Sequence, residues 1–336
     1  MFISSFIQMA SQRYYWSSPS RLGRILWSIT SNLHQQLEIF RILSLPVFNE
    51  LVLRDPVFPF KYLSTKYLID GLPSNERASC FVHHYKFLEA RLPVRFLRQQ
   101  HQREITLFET REAGSAYAVT LGFPPKNALF EGEMRLQLLV NGVQIYDLQF
   151  TIVPGWILGS KEKDVVFILR LQGMKGCYEQ VRSATKALHE IAPPALLVAA
   201  LQGIATAWGI REMAGICAKS QYSYNERSSA LFIEAYDDFF IELGASRTTA
   251  DFFSSPLPVI EKPLDLIRNG HKSRTLKKRA FKLQIADEVC RWMTEISPKV
   301  ANRSQSHSVR EASKPTLRRV LRPVDSPETT TGLINA

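Results

Sequence analysis

Asn141-Gly142 sits between two apolar runs, Met134 to Val140 and Val143 to Val153. Asn-Gly supplies the two positive-φ residues that a type I′ turn needs, so this stretch predicts a β-hairpin. Tyr146, Leu148, Phe150 and Ile152 recur at period two and mark one apolar face of its second strand. The next run, Val165-Val166-Phe167-Ile168-Leu169, is apolar at every position. A strand apolar on both faces belongs in the centre of a sheet. A hairpin leading into a central strand confines the middle of the chain to a sheet-centred fold.

The elements around it extend that reading. Ile105 to Phe108 starts a strand, Glu112-Ala113-Gly114-Ser115 is a turn, and Tyr117 to Phe123 returns. After the central strand the pattern changes. A helix is expected from about Gly176 to His189 and a buried helix from Pro194 to Trp208. A short strand, Glu212 to Ala218, an amphipathic helix, Ser228 to Ala245, and a last strand, Asp251 to Leu257, follow. The expected fold class is α+β: a mixed, mostly antiparallel sheet crossed by helices.

Before residue 104 the chain reads as helices cut by Pro46, Pro56, Pro59 and Pro73, with Ser74 capping a helix that Pro93 ends. The expected organisation is a helical N-terminal region (1–103) packed on an α+β domain (104–260), then a basic helical extension (261–296). A disordered basic tail (297–336) completes it. That tail is polar and serine-rich, with too little apolar content to fold alone.

The only long uncharged run, Ile191 to Ile210, is long enough for a bilayer, but Pro193-Pro194, Gln202, Gly203 and Gly209 fit a buried helix better. The N-terminal MFISSFIQMASQRYYW lacks a basic start and a small-residue cleavage site. A cytoplasmic location follows, with attachment at the periphery of the inner membrane or an unusual periplasmic route left open. The four cysteines form no CxxC pair, and no metal spacing occurs, so no metal is expected.

The formal net charge is +11 across 336 residues, which favours an acidic partner. Much of the excess lies late in the chain. Arg268, Lys272, Arg274, Lys277, Lys278, Arg279 and Lys282 fall within one stretch that contains no acid. With Leu276, Ala280 and Leu283 forming an apolar edge, this stretch is a candidate surface for an anionic membrane or RNA.

Gln172-Gly173-Met174-Lys175-Gly176 joins the central strand to the next helix. A strand, a two-glycine turn and a basic helix form either a phosphate cradle or an ordinary change of direction. As a cradle it would use the backbone N–H groups from Gly173 to Gly176, with Gln172 beside them and Lys175 and Arg182 supplying charge. It is neither a Walker motif nor a dinucleotide fingerprint. His83 and His84 are adjacent and face different ways, so they cannot hold one metal together, and His84, on the apolar face, is expected to be a core or interface histidine. No nucleophile–histidine–acid set can be placed, so the catalytic residues are unknown at this level.

Several segments together resemble the VirK/YbjX family of bacterial proteins: HHYKFLEARLP at 83–93, LQG and RSATK within 171–186, AWGI at 207–210, and YDDFFIELGA at 236–245. The resemblance covers about Leu51 to Pro258. It implies a Gram-negative setting tied to virulence, outer-membrane surface proteins and envelope resistance. The implied partner is an outer-membrane virulence protein or its mRNA, held by binding rather than by catalysis. A more remote resemblance, in element order, is to the GCN5-related acyltransferases. There the turn after the fourth strand gives backbone N–H groups to the pyrophosphate of acyl-CoA, and Gln172 to Gly176 would occupy that turn. The arginine-and-glycine spacing of that loop is absent here, and an extra helical segment follows it.

Overall fold

Asn141 and Gly142 both take positive φ, 49° and 81°, and close the expected hairpin. The computed structural model describes residues 23, 27–125, 130–221, 223–248 and 252–297, which lie in one unit that ends at Pro298. The tail expected to be disordered falls, from residue 298 onward, outside the described residues.

Among the described residues eight strands form one sheet. They are β1 (Ile105–Glu112), β2 (Ser115–Gly122), β3 (Met134–Val140), β4 (Val143–Pro154), β5 (Asp164–Gly173), β6 (Glu212–Ile216), β7 (Ser246–Arg247) and β8 (Phe252–Pro256). Their order is β1-β2-β3-β4-β5-β6-β8-β7. The first five make an antiparallel meander, and β5 and β6 are the one parallel pair among the described strands. Parallel neighbours need a crossover. It is built from α5 (Tyr178–Ala187) and α6 (Pro193–Trp208). The α+β fold, a mixed and mostly antiparallel sheet crossed by helices, is therefore the fold of this chain. Val165 to Leu169 are all buried, as a central strand requires.

Before the sheet come α1 (Leu33–Leu43), α2 (Pro46–Arg54), α3 (Ser74–Arg91) and α4 (Val94–Gln102), with a 3₁₀ segment at Phe58–Leu63. The prolines act where expected. Pro46 opens α2, whose first N–H would be unpaired in any case. Pro73 occupies the cap position of α3, and Ser74 is already helical. The Ser74 hydroxyl instead accepts from the Asn32 amide at 3.1 Å. Helix α3 lies against β4.

Helix α6 is the buried helix. Pro193 stands in its first turn and Gly209, at φ 72°, ends it. The preceding α5 is shorter than the apolar pattern suggests, because Gly176, His189 and Glu190 all have positive φ. The expected helix over 228–245 is also modified. Ser229–Phe232 runs into a π-helical segment, Ile233–Asp238, and then Phe239–Glu242; we call the whole α7. Leu231 and Ile241 on it are exposed, so it is not cleanly amphipathic.

The basic stretch belongs to α8 (Asn269–Ile296). Phe281, Ile285, Val289 and Met293 recur every four residues and are buried, so a stripe of α8 packs inward. That stripe meets α6 at Gly203, where a Cβ would collide with the Ala286 carbonyl oxygen and lie 2.9 Å from the Val289 side chain.

Candidate functional site

Strands β5 and β6 pair only from Val166↔Met213 to Ile168↔Gly215. Immediately beyond, Leu169 is an extra residue on β5: Phe150 faces Ile168 while Gln149 faces Arg170. A bulge of this kind bends its strand and re-aims the groups that follow. From there β5 continues beside β4 to Gly173, and among the described residues no strand pairs with it on the β6 side. The strands part, and the gap begins where the bulge is.

Tyr236 fills the start of that gap. Its hydroxyl oxygen accepts the Leu171 N–H at 3.2 Å. Tyr236 lies in the π-helical part of α7, a distortion often found where a side chain must be placed for function. Asp237 accepts the Ala218 N–H at 2.7 Å and so ties the same segment to the end of β6. Phe240 occupies the space a side chain at position 215 would need, which explains Gly215. Burial pushes the Tyr236 hydroxyl pKa up and holds its proton at neutral pH. Since the oxygen accepts from Leu171, the O–H remains available to donate.

A polar network continues from Tyr236 across β5, β4 and β3. Glu131 accepts from Arg170, from the Gln221 amide, and from the Ser223 hydroxyl at 3.3 Å. The Arg170 Nε lies 3.1 Å from an oxygen of Asp147. Asp147 in turn accepts from the Gln149 amide at 2.9 Å. Arg135 pairs with Glu104, which also accepts from Thr120 at 2.9 Å. Glu131, Asp147 and Gln149 are buried. Burial raises the Asp147 pKa, against the pull of Gln149, Arg135 and Arg170. Tyr146 is pushed up to about 12 by burial.

A second buried cluster lies under the N-terminal helices. Glu133 Oε2 accepts from the Lys61 ammonium at 2.6 Å and from the Tyr85 hydroxyl at 2.5 Å, and Oε1 accepts from Tyr67. All four side chains are buried. Loss of hydration lowers the Lys61 pKa and raises those of Tyr67 and Tyr85. The Lys61 ammonium also stands 4.6 Å from the centre of the Phe58 ring. Beside this cluster His84 Nδ1 accepts the Ile152 N–H at 3.1 Å, as the core placement of His84 anticipated.

The residues singled out from sequence lie as follows. Gln172, Gly173, Lys175 and Gly176 are exposed at the end of β5, and Arg182 is exposed on α5. The Met174 N–H is already given to the Ile145 carbonyl at 3.0 Å. Gly176, at φ 84°, is the glycine the turn requires. On α8, Arg274 and Lys278 face Glu190 at 3.2 and 3.8 Å. Arg279 and Lys282 pair with Glu261. Acids outside the run thus neutralise four of its seven cations. Arg268 and Lys277 are exposed and Lys272 is half-buried. The four cysteines are free. Among the described residues no group of three or more His, Cys, Asp or Glu is arranged to hold a metal, and no helix is long and apolar enough to cross a membrane.

Neither buried network was singled out from sequence. Their signal was present as polar residues at period two, Asp147, Gln149 and Thr151, on the side of β4 opposite Tyr146, Leu148, Phe150 and Ile152.

The architecture defines an α+β protein with a parted parallel strand pair. Residues 23–290 match the family described as Protein of unknown function (DUF535), and the chain belongs to it. This is the VirK/YbjX family that the sequence motifs indicated. An uncharacterised protein of Haemophilus influenzae is 26% identical over 161 residues, which is 48% of this chain. The chain spans about half, 53%, of that relative's length. Among solved structures, a mutant of a cAMP-binding acyltransferase from Mycobacterium smegmatis aligns with 67% of this chain and 63% of its own. That alignment has 11% identity and a TM-score of 0.26.

Proposed function

We propose that this chain is an acyltransferase-like enzyme that takes an acyl thioester, from acyl-CoA or acyl carrier protein, and transfers the acyl group to an envelope component. The observation that carries the reading is Tyr236: a proton-bearing hydroxyl held on the Leu171 N–H where β5 and β6 part. An amide-bearing thioester arm entering the gap finds strand-edge groups beyond Leu171 to pair with, as a peptide does at a sheet edge. In the transfer, the acceptor's amine or hydroxyl adds to the thioester carbonyl, and the carbon–sulfur bond breaks. The departing thiolate takes the Tyr236 proton, and the tyrosine regains a proton from the acceptor through water. Glu131, Arg170 and Asp147 keep the wall beside it charged and ordered.

In this reading the turn Gln172, Gly173, Lys175 and Gly176 lies at the open end of the gap and receives the pyrophosphate, with Arg182 adding charge. The Met174 N–H is spent on the Ile145 carbonyl and the Cys177 N–H on the Met174 carbonyl, so in this reading the turn's donors are the N–H groups of Lys175 and Gly176. Calorimetry with acetyl-CoA, longer acyl-CoAs and acyl carrier protein tests it. Saturable binding that weakens in Gly173→Pro and Arg182→Ala is expected. Absence of binding to every thioester removes the reading.

A second reading is favoured by the outer edge of α8, where Arg268 and Lys277 stand exposed near exposed Leu276 and Leu283. That edge fits an accessory protein that binds an anionic membrane surface, an outer-membrane virulence protein or its mRNA, and supports production or delivery of that protein. Such contact would place a cytoplasmic protein at the inner-membrane periphery. Binding to anionic vesicles or RNA should fall steeply with salt and vanish when Arg268, Lys272 and Lys277 are neutralised. Salt-independent binding, or none, excludes it.

A further inference from the structure

Strand β1 is one edge of the sheet, and among the described residues no strand pairs with its outer side. It meets β2 through a two-residue turn. Glu112 faces Ser115, and Ala113 and Gly114 between them take positive φ, 49° and 81°. The residues that flank such a turn exchange both hydrogen bonds, and the pattern alternates from there. Thr110 and Phe108 therefore bond to β2, while Glu109 and Arg111 turn their N–H and C=O groups outward. Ala116, opposite Arg111, is in the same phase. Its N–H goes to Asn141 Oδ1 at 2.9 Å and its carbonyl accepts the Asn141 N–H at 2.8 Å, both on the side away from β1.

An open edge of this kind is a template for another strand, and charged side chains commonly guard it. Here the guards carry opposite signs. Glu109 and Arg111 are both exposed, and neither has an ion-pair partner among the described residues. They share one face of β1, while on the other face Phe108 meets Phe281 of α8 at 6.0 Å. The regular part of the strand is short. The extra residue Leu107 ends it on one side and the turn at Ala113 on the other, which leaves Phe108 to Glu112 with Thr110 at the centre. Two copies paired antiparallel about Thr110 use that whole run. Phe108 then faces Glu112 of the second copy, and Glu109 faces Arg111 twice over. In that register the outward N–H and C=O groups of Glu109 and Arg111 meet, and each carboxylate stands beside a guanidinium. Moving the centre by one residue, to Glu109 or to Arg111, sets like charges directly opposite each other, which is destabilising.

We propose that this edge joins two copies of the chain into a symmetric dimer, β1 against β1 in antiparallel register about Thr110, closed by two Glu109–Arg111 pairs. Such a contact is isologous and covers the edge it uses, so it stops at two. The paired run is short and small interfaces bind weakly, so assembly should depend on concentration. The inference is independent of both readings given under the proposed function.

Sedimentation equilibrium of the whole chain, from micromolar to millimolar concentration, tests it together with amide exchange. A reversible monomer–dimer equilibrium is expected. The Glu109 and Arg111 amides should exchange fast in dilute protein and at least tenfold more slowly in concentrated protein. The Thr110 amide, bonded to β2 in both states, should stay protected throughout. Glu109→Arg and Arg111→Glu each place like charges opposite one another and should weaken the dimer at least tenfold. The double swap restores opposite signs and should recover it. So should a mixture of the two single variants, which match each other but not themselves. A monomer across the whole range, assembly beyond a dimer, a dimer that leaves the Glu109 and Arg111 amides unprotected, or single swaps that neither weaken it nor complement each other overturns the proposal.

Discussion

The Tyr236 hydroxyl oxygen accepts the Leu171 N–H at 3.2 Å, in the place where the next strand of a sheet would ordinarily supply a carbonyl. One side chain from a π-helical segment thus completes the backbone of the central strand and marks the start of the gap. Tyr236→Phe keeps the ring and removes the acceptor. It leaves a buried N–H unpaired, at a cost of roughly 1–3 kcal/mol. Urea unfolding should report that loss, and the Leu171 amide should exchange faster. If the gap performs thioester chemistry, turnover should fall far more than stability does, with thioester affinity little changed. Unaltered exchange at Leu171 would show that the hydrogen bond is not formed in solution.

Lys61 and Glu133 make a different kind of prediction. A buried charge left without its partner typically costs about 3–5 kcal/mol. Lys61→Met strands Glu133 among Tyr67 and Tyr85 in that way. Adding Glu133→Gln removes the charge, keeps one oxygen acceptor for one tyrosine and places an amide NH2 that can donate to the hydroxyl oxygen of the other. The double variant should therefore be more stable than Lys61→Met alone. A double-mutant cycle in chemical denaturation measures the coupling, and strict additivity would mean the pair does not interact.

The contrast between these residues and the rest of the sheet explains what the sequence made legible. The Asn141-Gly142 hairpin, the central β5 and the buried α6 rest on turn chemistry and apolar periodicity, which act locally, and each formed where expected. Asp147, Gln149 and Thr151 obey the same period-two rule, but alternation cannot distinguish a face wetted by solvent from one covered by other chain. Their burial depends on α3 and on charges from neighbouring strands, at separations no local pattern encodes. Tyr236 was hidden for a related reason. Its helix reads as an ordinary one, and only the parting of β5 and β6 gives its hydroxyl a role.

His84 should make the fold sensitive to mild acid. Its Nδ1 accepts the Ile152 N–H, so the ring must be neutral with the proton on Nε2. Burial, with Lys61 and His83 nearby, holds its pKa well below the usual 6.5. In the unfolded chain it protonates at its ordinary pKa, so below about pH 6.5 the unfolded state binds more protons. Stability from this group is present above that pH and falls, by up to roughly 1.4 kcal/mol per pH unit, as pH drops toward the folded-state pKa. His83 is shifted in the same direction by burial, against the pull of Asp164 at 2.8 Å. Unfolding free energies between pH 7 and 5 should therefore be compared in wild type, His84→Asn and His83→Gln. His84→Asn retains an acceptor and should flatten the curve more than His83→Gln does; identical slopes in all three would assign the acid sensitivity elsewhere.

Gly203 tests whether α8 is part of the folded unit or an appendage carrying charge. The α8 backbone approaches α6 so closely there that a methyl group would meet the Ala286 carbonyl and the Val289 side chain. In an exposed helix, glycine to alanine is favourable by up to about 1 kcal/mol. Here the sign should reverse, because overpacking typically costs about 1–3 kcal/mol. Gly203→Ala should lower the unfolding midpoint and increase exchange along the inward stripe at Ile285, Val289 and Met293. Adding Val289→Ala should not recover the loss, because alanine keeps the Cβ that lies 2.9 Å away and leaves the contact with the Ala286 carbonyl unchanged. If Gly203→Ala instead stabilises the protein, the two helices are not packed at this distance, and the four cations paired with Glu190 and Glu261 would be free to meet an anionic partner along with Arg268 and Lys277.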